Sequence, residues 1–424
     1  MKTKKCTIAI FLFFAGFTQL FSQSEYVNQI IIAEGAGTKV YVSAYNPVSG
    51  ITTVFDSINV GYVNDVLVDG NFAFVAATDS VIKYDIDNYS RIDQRKVDNV
   101  NKLAVYNDYL IAGRWITASN NIWLRVYDKN NLSSNVFDIP EIDDQTYDIV
   151  VENDTAYIVV YGGYGNPTGK IGVIDLTNQS FQRWIDLGNQ GEGIGNLLSD
   201  GFNLYPVFET WTWNMPSDTI GGIGIYNINN STMFIDSMNY DIGRGYFVNG
   251  TALFLQVNNN IGVYDLYNQT MIDTSRITKP AGYGAYCAVV YDRVNNKIYI
   301  NETDYFSYGQ GYFFDLSGNQ LGTYNIGISA EAMDIDYRIS SGIEKQNIYE
   351  SVIIYPNPAT DLININNCNY VELYKLFNSS GKLVEFNCTH KKQFNIDISK
   401  YSRGVYFLQI ITDDKVVINK IVFE

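Results

Sequence analysis

The chain is expected to be all-β: a seven-bladed β-propeller followed by a small β-sandwich. Three observations predict this. The 424 residues include 34 Tyr, 23 Phe and 34 Gly, and no long stretch carries the apolar spacing of an amphipathic helix. Short apolar runs are broken at regular intervals by Asn, Asp and Gly, the pattern of many short antiparallel strands. One motif recurs seven times, about 40–50 residues apart, which is the period of a four-stranded propeller blade.

The first residues form an export signal. Lys2, Lys4 and Lys5 make a basic start, residues 8–17 are apolar, and a polar stretch with small Ser22 follows. The apolar run is shorter than the roughly 20 residues that span a bilayer, so residues 1–23 read as a cleavable signal peptide. Cys6 precedes the run and is not placed for lipidation. No later stretch reads as a transmembrane segment.

Residues 24–338 carry the repeat. Each copy is a short apolar strand that ends on Asp or Asn: Asn46, Asp85, Asp128, Asp175, Asn227, Asp265 and Asp315. The side chain there accepts hydrogen bonds from backbone N–H groups just downstream, and a following Asn or Gly tolerates left-handed backbone angles. Blade four unpacks into strands near 148–151, 155–160, 172–175 and 181–185. Blade two matches with 65–68, 72–76, 81–84 and 91–97. Residues 26–60 supply only a second, third and outer strand. The missing inner strand is Ala332 to Tyr337, left over after blade seven, so one blade is built from both ends of the body. That closes the ring and removes an open sheet edge.

Residues 339–350 are polar and read as a linker. From 351 to 424 a new series of about seven short alternating strands suggests a small β-sandwich. Its motifs are Tyr355-Pro356-Asn357-Pro358, Leu376 to Leu383 with Gly381, Arg403-Gly404-Val405-Tyr406, and the ending Lys420-Ile421-Val422. In that order they resemble the type A C-terminal sorting domain of cargo for the type IX secretion system of Bacteroidota. The resemblance implies passage through the periplasm, engagement of the type IX machinery, removal of the domain, and release or surface attachment. The prolines and glycines have structural duties either way, at a strand start and in turns. The body resembles seven-bladed surface propellers with YVTN-like repeats and quinoprotein-like propellers, and that likeness carries no catalytic residue across.

The formal net charge of −16 argues against nucleic acid, whose phosphates need clustered Lys and Arg. After the signal, only Cys287, Cys368 and Cys388 remain. They make neither a disulfide scaffold nor zinc-site spacing, though Cys368 and Cys388 are candidates to pair. His390 is the single histidine, so no Ser-His-Asp triad, Cys-His pair or His-rich metal site can form in the body. No metal or cofactor is expected. Asp-Ser/Thr-apolar triplets such as Asp56-Ser57-Ile58 and Asp236-Ser237-Met238 look like O-glycosylation sequons of exported Bacteroidota proteins, and also read as turn residues that start a strand.

Propeller ligands generally meet the face where second-to-third-strand loops join blade-to-blade loops. There blades three, four, five and seven have the longer loops. They carry Trp115, Tyr161, Tyr164, Trp211, Trp213, Tyr305, Phe306 and Tyr308, with Glu209, Glu192, Glu141, Asp143 and Asp144 nearby. Aromatic faces beside carboxylates suit sugars, which stack and hydrogen-bond; they suit peptides as well, and local packing of the loops also accounts for such aromatics. The expectation is a non-catalytic glycan- or protein-binding module. The alternative is a carboxylate-dependent carbohydrate-active enzyme using Glu192 and Glu209, which needs two carboxyls about 5 Å or 6.5–9.5 Å apart.

Overall fold

The computed structural model describes residues 24–35, 37–115, 122–161, 169–188, 193–210, 221–279, 284–340, 352–412 and 416–424. The expected signal peptide and most of the expected linker lie outside these residues.

Seven four-stranded antiparallel sheets make the body. In blade two the chain runs outward through Val63–Asp69, Phe72–Ala77, Ser80–Asp85 and Ser90–Lys96. The inner strands touch in cyclic order: Val63–Asp69, Val100–Tyr106, Thr146–Glu152, Ile194–Ser199, Ile242–Asn249, Ala285–Asp292, Ala332–Ser340, and back to Val63–Asp69. Ser24–Glu34 pairs with Val40–Asn46 on one side and with Ala332–Ser340 on the other. The closing strand reaches Ser340, two residues into the stretch read as linker, and the Ser24 and Ser340 hydroxyls hydrogen-bond at 2.8 Å.

Each blade is sandwiched between two others, so its strands are apolar on both faces and contain continuous runs such as Ile30-Ile31-Ile32-Ala33. Among the described residues the resulting cores lie between blades. Val75 and Ala77 of blade two join Val42 of blade one, and Phe74 and Ala76 join Leu110 and Ala112 of blade three. The last of these cores sets Tyr299 and Tyr324 of blade seven against Ile30 and Tyr45 of blade one. Each fully buried aliphatic or aromatic side chain there contributes about 1.5–3 kcal/mol, so stability is distributed around the ring.

The turn after the third strand forms as expected in all seven copies. Asn46, Asp85, Asp128, Asp175, Asn227, Asp265 and Asp315 each accept a backbone N–H from two to four residues downstream. The left-handed residue differs from the expectation. Gly50 and Gly318 fill it in two copies, but Tyr89, Gln179, Ser231 and Gln269 adopt φ of 53°, 54°, 58° and 54°. The carboxylate or amide clamp fixes the turn, and the following residue takes the strained angle, a cost of about 1 kcal/mol. The Asp-Ser triplets have an inter-blade role: Asp56 accepts from Tyr84 Oη at 2.7 Å, and Asp236 from Tyr264 Oη at 2.8 Å.

The C-terminal unit has five described strands, Ile353–Tyr355, Leu362–Asn378, Leu383–Asp397, Gly404–Thr412 and Val416–Phe423, rather than about seven short ones. Leu362–Asn378 is one long strand whose register shifts between Asn366 and Val371. One half of that strand pairs with Ile353–Tyr355, the other with Gly404–Thr412. Ile363 and Ile365 of one half share a core with Leu376 of the other and with Leu408 and Phe423 of the last two strands, which gives the sheet two layers. Gly381 (φ 79°) sits in the turn after Asn378, and Gly404 (φ 151°) opens a strand. Asn357 donates to Lys420 O at 2.9 Å and accepts from Val422 N at 2.9 Å, tying the Pro356-Asn357-Pro358 segment to the last strand. Tyr406 stacks on Phe423 at 4.2 Å, and Lys420 is exposed. Cys388 is a free thiol, and the Cys368 side chain lies outside what the structure describes.

This unit rests on the propeller's underside. Lys375 Nζ donates to Asp200 O at 2.7 Å, the Phe386 ring lies 4.5 Å from Phe202, and His390 meets Tyr267 edge-on at 5.4 Å.

Candidate functional site

The end of the central channel away from the C-terminal unit is shaped by a defect repeated around the ring. Six of the inner strands carry a register break near their start, at Val63/Asp65, Val100/Lys102, Thr146/Asp148, Ile194/Asn196, Ile242/Gly245 and Tyr286/Ala288. A bulge inserts a residue and re-aims its neighbours. Here it turns polar side chains into the mouth of the central channel. Asn64, Asn101, Lys102, Tyr147, Asp148, Asn196 and Arg244 thereby line one cavity of about 420 Å³, completed by Tyr62, Trp115 and Glu331. A second space of about 320 Å³ shares several of these residues and runs inward past Asp65, Tyr246, Cys287 and Met333.

The electrostatics have two parts. Lys102 Nζ lies 3.1 Å from Asp65 and 3.9 Å from Asp148. Burial alone would lower the Lys102 ammonium, but the two carboxylates outweigh it and hold its pKa above the ordinary value. Burial pushes Asp65 up, with Lys102 opposing. The same carboxylates clamp the next blade: Asp65 accepts Leu103 N–H at 2.9 Å and Asp148 accepts Leu197 N–H at 3.0 Å. Deeper in the channel Asp334 accepts Val68 N–H at 2.7 Å, and burial raises its carboxyl to about 6. Across the mouth, burial raises Glu209, opposed by the Arg244 charge. Burial would lower Arg244, but Glu209 and Tyr147 hold it up.

Cys287 donates to Asn301 O at 3.3 Å and Ala330 O at 3.1 Å. Burial pushes its pKa up to about 12, so it is a thiol and a poor nucleophile.

Of the aromatics and acids singled out from sequence, Trp115 lines the cavity. Tyr161 is buried at 9% exposure and stacks on the cavity residue Tyr147 at 4.7 Å; it supports the wall instead of facing solvent. Glu209 lies behind the wall, where a Cβ on Gly195 would come within 2.2 Å of its Oε1. Tyr305, Phe306 and Tyr308 are exposed at 43%, 87% and 82%, on a loop pinned by Asp304, which accepts the Phe306 and Ser307 N–H groups. Tyr305 is close enough to Arg244 to feel its charge. Asp143 pairs with Lys170 at 2.8 Å, and neither it, Glu141 nor Asp144 lines the cavity. Among the described residues no group of three or more His, Cys, Asp or Glu side chains is placed to hold a metal ion. Tyr164, Glu192, Trp211 and Trp213 lie outside the described residues.

Sequence reasoning missed Asn64, Asn101, Lys102, Asn196, Arg244 and Glu331 as site residues. A signal existed: inner strands otherwise apolar begin with a polar residue at one repeat position, as in Asn64-Asp65, Asn101-Lys102, Tyr147-Asp148 and Gly195-Asn196.

The fold and the open cavity define a propeller joined to a small β-domain. Residues 353–424 match the family described as the secretion system C-terminal sorting domain. The chain is thus a secreted or cell-surface cargo of the type IX secretion system, whose machinery the sorting domain engages. Among the described residues no helix is long and apolar enough to cross a membrane. No curated protein matches the chain. Among solved structures it is similar to a hypothetical selenium-binding protein from Sulfolobus tokodaii, at 10% identity over 74% of this chain and 94% of that one, with TM-score 0.54. It is also similar to Kuenenia stuttgartiensis hydrazine synthase, at 13% identity over 70% and 95%, TM-score 0.48. The extracellular domain of a one component system from B. thetaiotaomicron matches at 11% identity over 95% of this chain, TM-score 0.46, and the chain spans 57% of that protein's length. At such identities the first likeness speaks for the fold alone.

Proposed function

We propose that the propeller is a non-catalytic glycan- or protein-binding module whose ligand seats in the channel-mouth cavity. In this reading a signal peptide over residues 1–23 takes a Bacteroidota protein to the periplasm, and the sorting domain completes export. The observation that carries the proposal is the cavity's construction. Several blades each contribute polar side chains through a bulge, and Trp115, Tyr62 and Tyr147 add aromatic faces. Few, convergent polar groups beside aromatic surface are what a small-ligand site needs. The sorting domain docks on the other face, so its removal leaves the cavity intact.

The test is a glycan array and a protein array probed with the chain and with Trp115→Ala. Binding that falls at least tenfold in the variant supports the reading, since an aromatic platform contributes about 1–3 kcal/mol. Blank arrays for the parent protein would sink it.

A second reading, a carboxylate-dependent carbohydrate-active enzyme, draws on Glu209. Its burial keeps the carboxyl above the usual range beside Arg244, as a general acid requires. Polysaccharide turnover abolished by Glu209→Gln would replace the binding-only reading.

A further inference from the structure

Two buried polar groups on the cavity wall lack partners, and a cation stands on the same wall. The Trp115 indole N–H and Asn196 Oδ1 are buried without a hydrogen bond. Arg244 is solvent-exposed at the channel mouth and makes no close ion pair or hydrogen bond among the described residues, its charge being balanced at longer range by Glu209. A buried polar atom left unpaired costs about 1–3 kcal/mol, so native interiors rarely keep even one. An acceptor, a neutral donor and a fixed cation on one cavity form a complementary pattern. The missing partner has an oxygen anion for the guanidinium, an acceptor for the indole and a hydroxyl donor for the amide.

The other wall groups decide what carries that pattern. Lys102 is already committed to Asp65 and Asp148, which leaves Arg244 as the free cation of the described wall. Glu331 accepts the Ser329 hydroxyl and, with Asn64 and Asn101, offers further hydrogen bonds to hydroxyls. Aromatic faces at Trp115, Tyr62 and Tyr147 suit the C–H face of a pyranose ring. A planar guanidinium binds a carboxylate with two parallel N–H donors.

We propose that the cavity binds the acidic sugar of a glycan, a hexuronic acid whose carboxylate sits on Arg244 while its ring lies against Trp115. This rests on the binding-module reading and names its ligand class. The chain's formal charge of −16 opposes an anion at long range. Screening confines that repulsion to about 8 Å at physiological salt, so the local guanidinium dominates once the ligand is in the mouth. Lys102 offsets part of the charge on Asp65 and Asp148.

The test uses the full chain and oligosaccharides of galacturonate, glucuronate and mannuronate, each beside its carboxyl-reduced neutral counterpart, with tetraglutamate as the acidic-peptide arm. Titration calorimetry should find one uronate series bound at least tenfold more tightly than its reduced form. Arg244→Gln should remove that preference while leaving the thermal melt unchanged. Trp115→Phe keeps the stacking face but deletes the N–H, and should weaken binding less than Trp115→Ala. Equal affinity for acidic and reduced sugars, or a preference that survives Arg244→Gln, overturns the acidic-sugar inference and leaves the glycan-binding module standing. Binding of tetraglutamate alone overturns it in favour of an acidic protein partner. No binding to any arm, with blank arrays, removes both readings together.

Discussion

Asp334 sits where the strand that closes the ring meets blade two, and its charge works against the fold at neutral pH. Its carboxyl accepts Val68 N–H at 2.7 Å and Ile335 N–H at 2.8 Å, yet burial outweighs both and raises it from 3.8 to about 6. The folded pKa is above the unfolded one. The proton's stabilising contribution is therefore whole below about pH 4 and lost as the pH climbs through 6. The gap corresponds to about 3 kcal/mol, a ceiling, because channel water reaches part of the carboxyl. Asp334→Asn removes the charge. Its amide oxygen keeps the bond to Val68, while its nitrogen faces Ile335 N–H at a cost of about 1 kcal/mol. The variant should gain about 1–2 kcal/mol at pH 7 and lose about 1 at pH 4. Urea unfolding followed by tryptophan fluorescence reads this cleanly, since all 5 Trp lie in the propeller. Measured at pH 4, 5, 6 and 7, the difference between the two proteins isolates this group from the other carboxyls. A variant no more stable than the parent at pH 7, or a difference flat from pH 4 to 6, would refute the reasoning.

Two further outcomes follow from packing and topology. Gly195→Ala places a Cβ 2.2 Å from Glu209 Oε1 and 2.4 Å from its Cδ; the displaced carboxyl should cost about 1–3 kcal/mol in the same urea assay. A chain ending at Ser340 should keep the parent's far-ultraviolet spectrum and a cooperative melt, because every blade is complete. One ending at Glu331 leaves the Ser24–Glu34 strand without its inner neighbour, and should lose the cooperative transition.

The legible parts of this protein were local or were forced by counting. Each Asp or Asn turn is decided within five residues, so all seven could be read, and one inner strand missing at the start and spare at the end dictated closure. The left-handed positions were misread because the clamp, not the residue's own preference, sets φ at Tyr89, Gln179 and Gln269. The site was hidden for a different reason. Arg244 stands in Gly243-Arg244-Gly245 with nothing local to mark it, and it meets Trp115 and Asn196 only after a bulge and five other blades bring them around one axis. Tyr161 misled in the opposite direction: a loop aromatic reads the same whether it faces solvent or, as here, stacks on Tyr147.

The bond between Ser24 and Ser340 joins positions 316 residues apart, and that sets an order on folding. A chain that emerges amino-terminus first holds Ser24–Glu34 with one edge unpaired until the last strand arrives, and such an edge invites pairing with other chains. Closing a loop of that length in a flexible chain costs about 5 kcal/mol. Six stacked blades remove most of that cost by carrying the two ends to one place. Ring closure thus joins the two ends of the body in one blade.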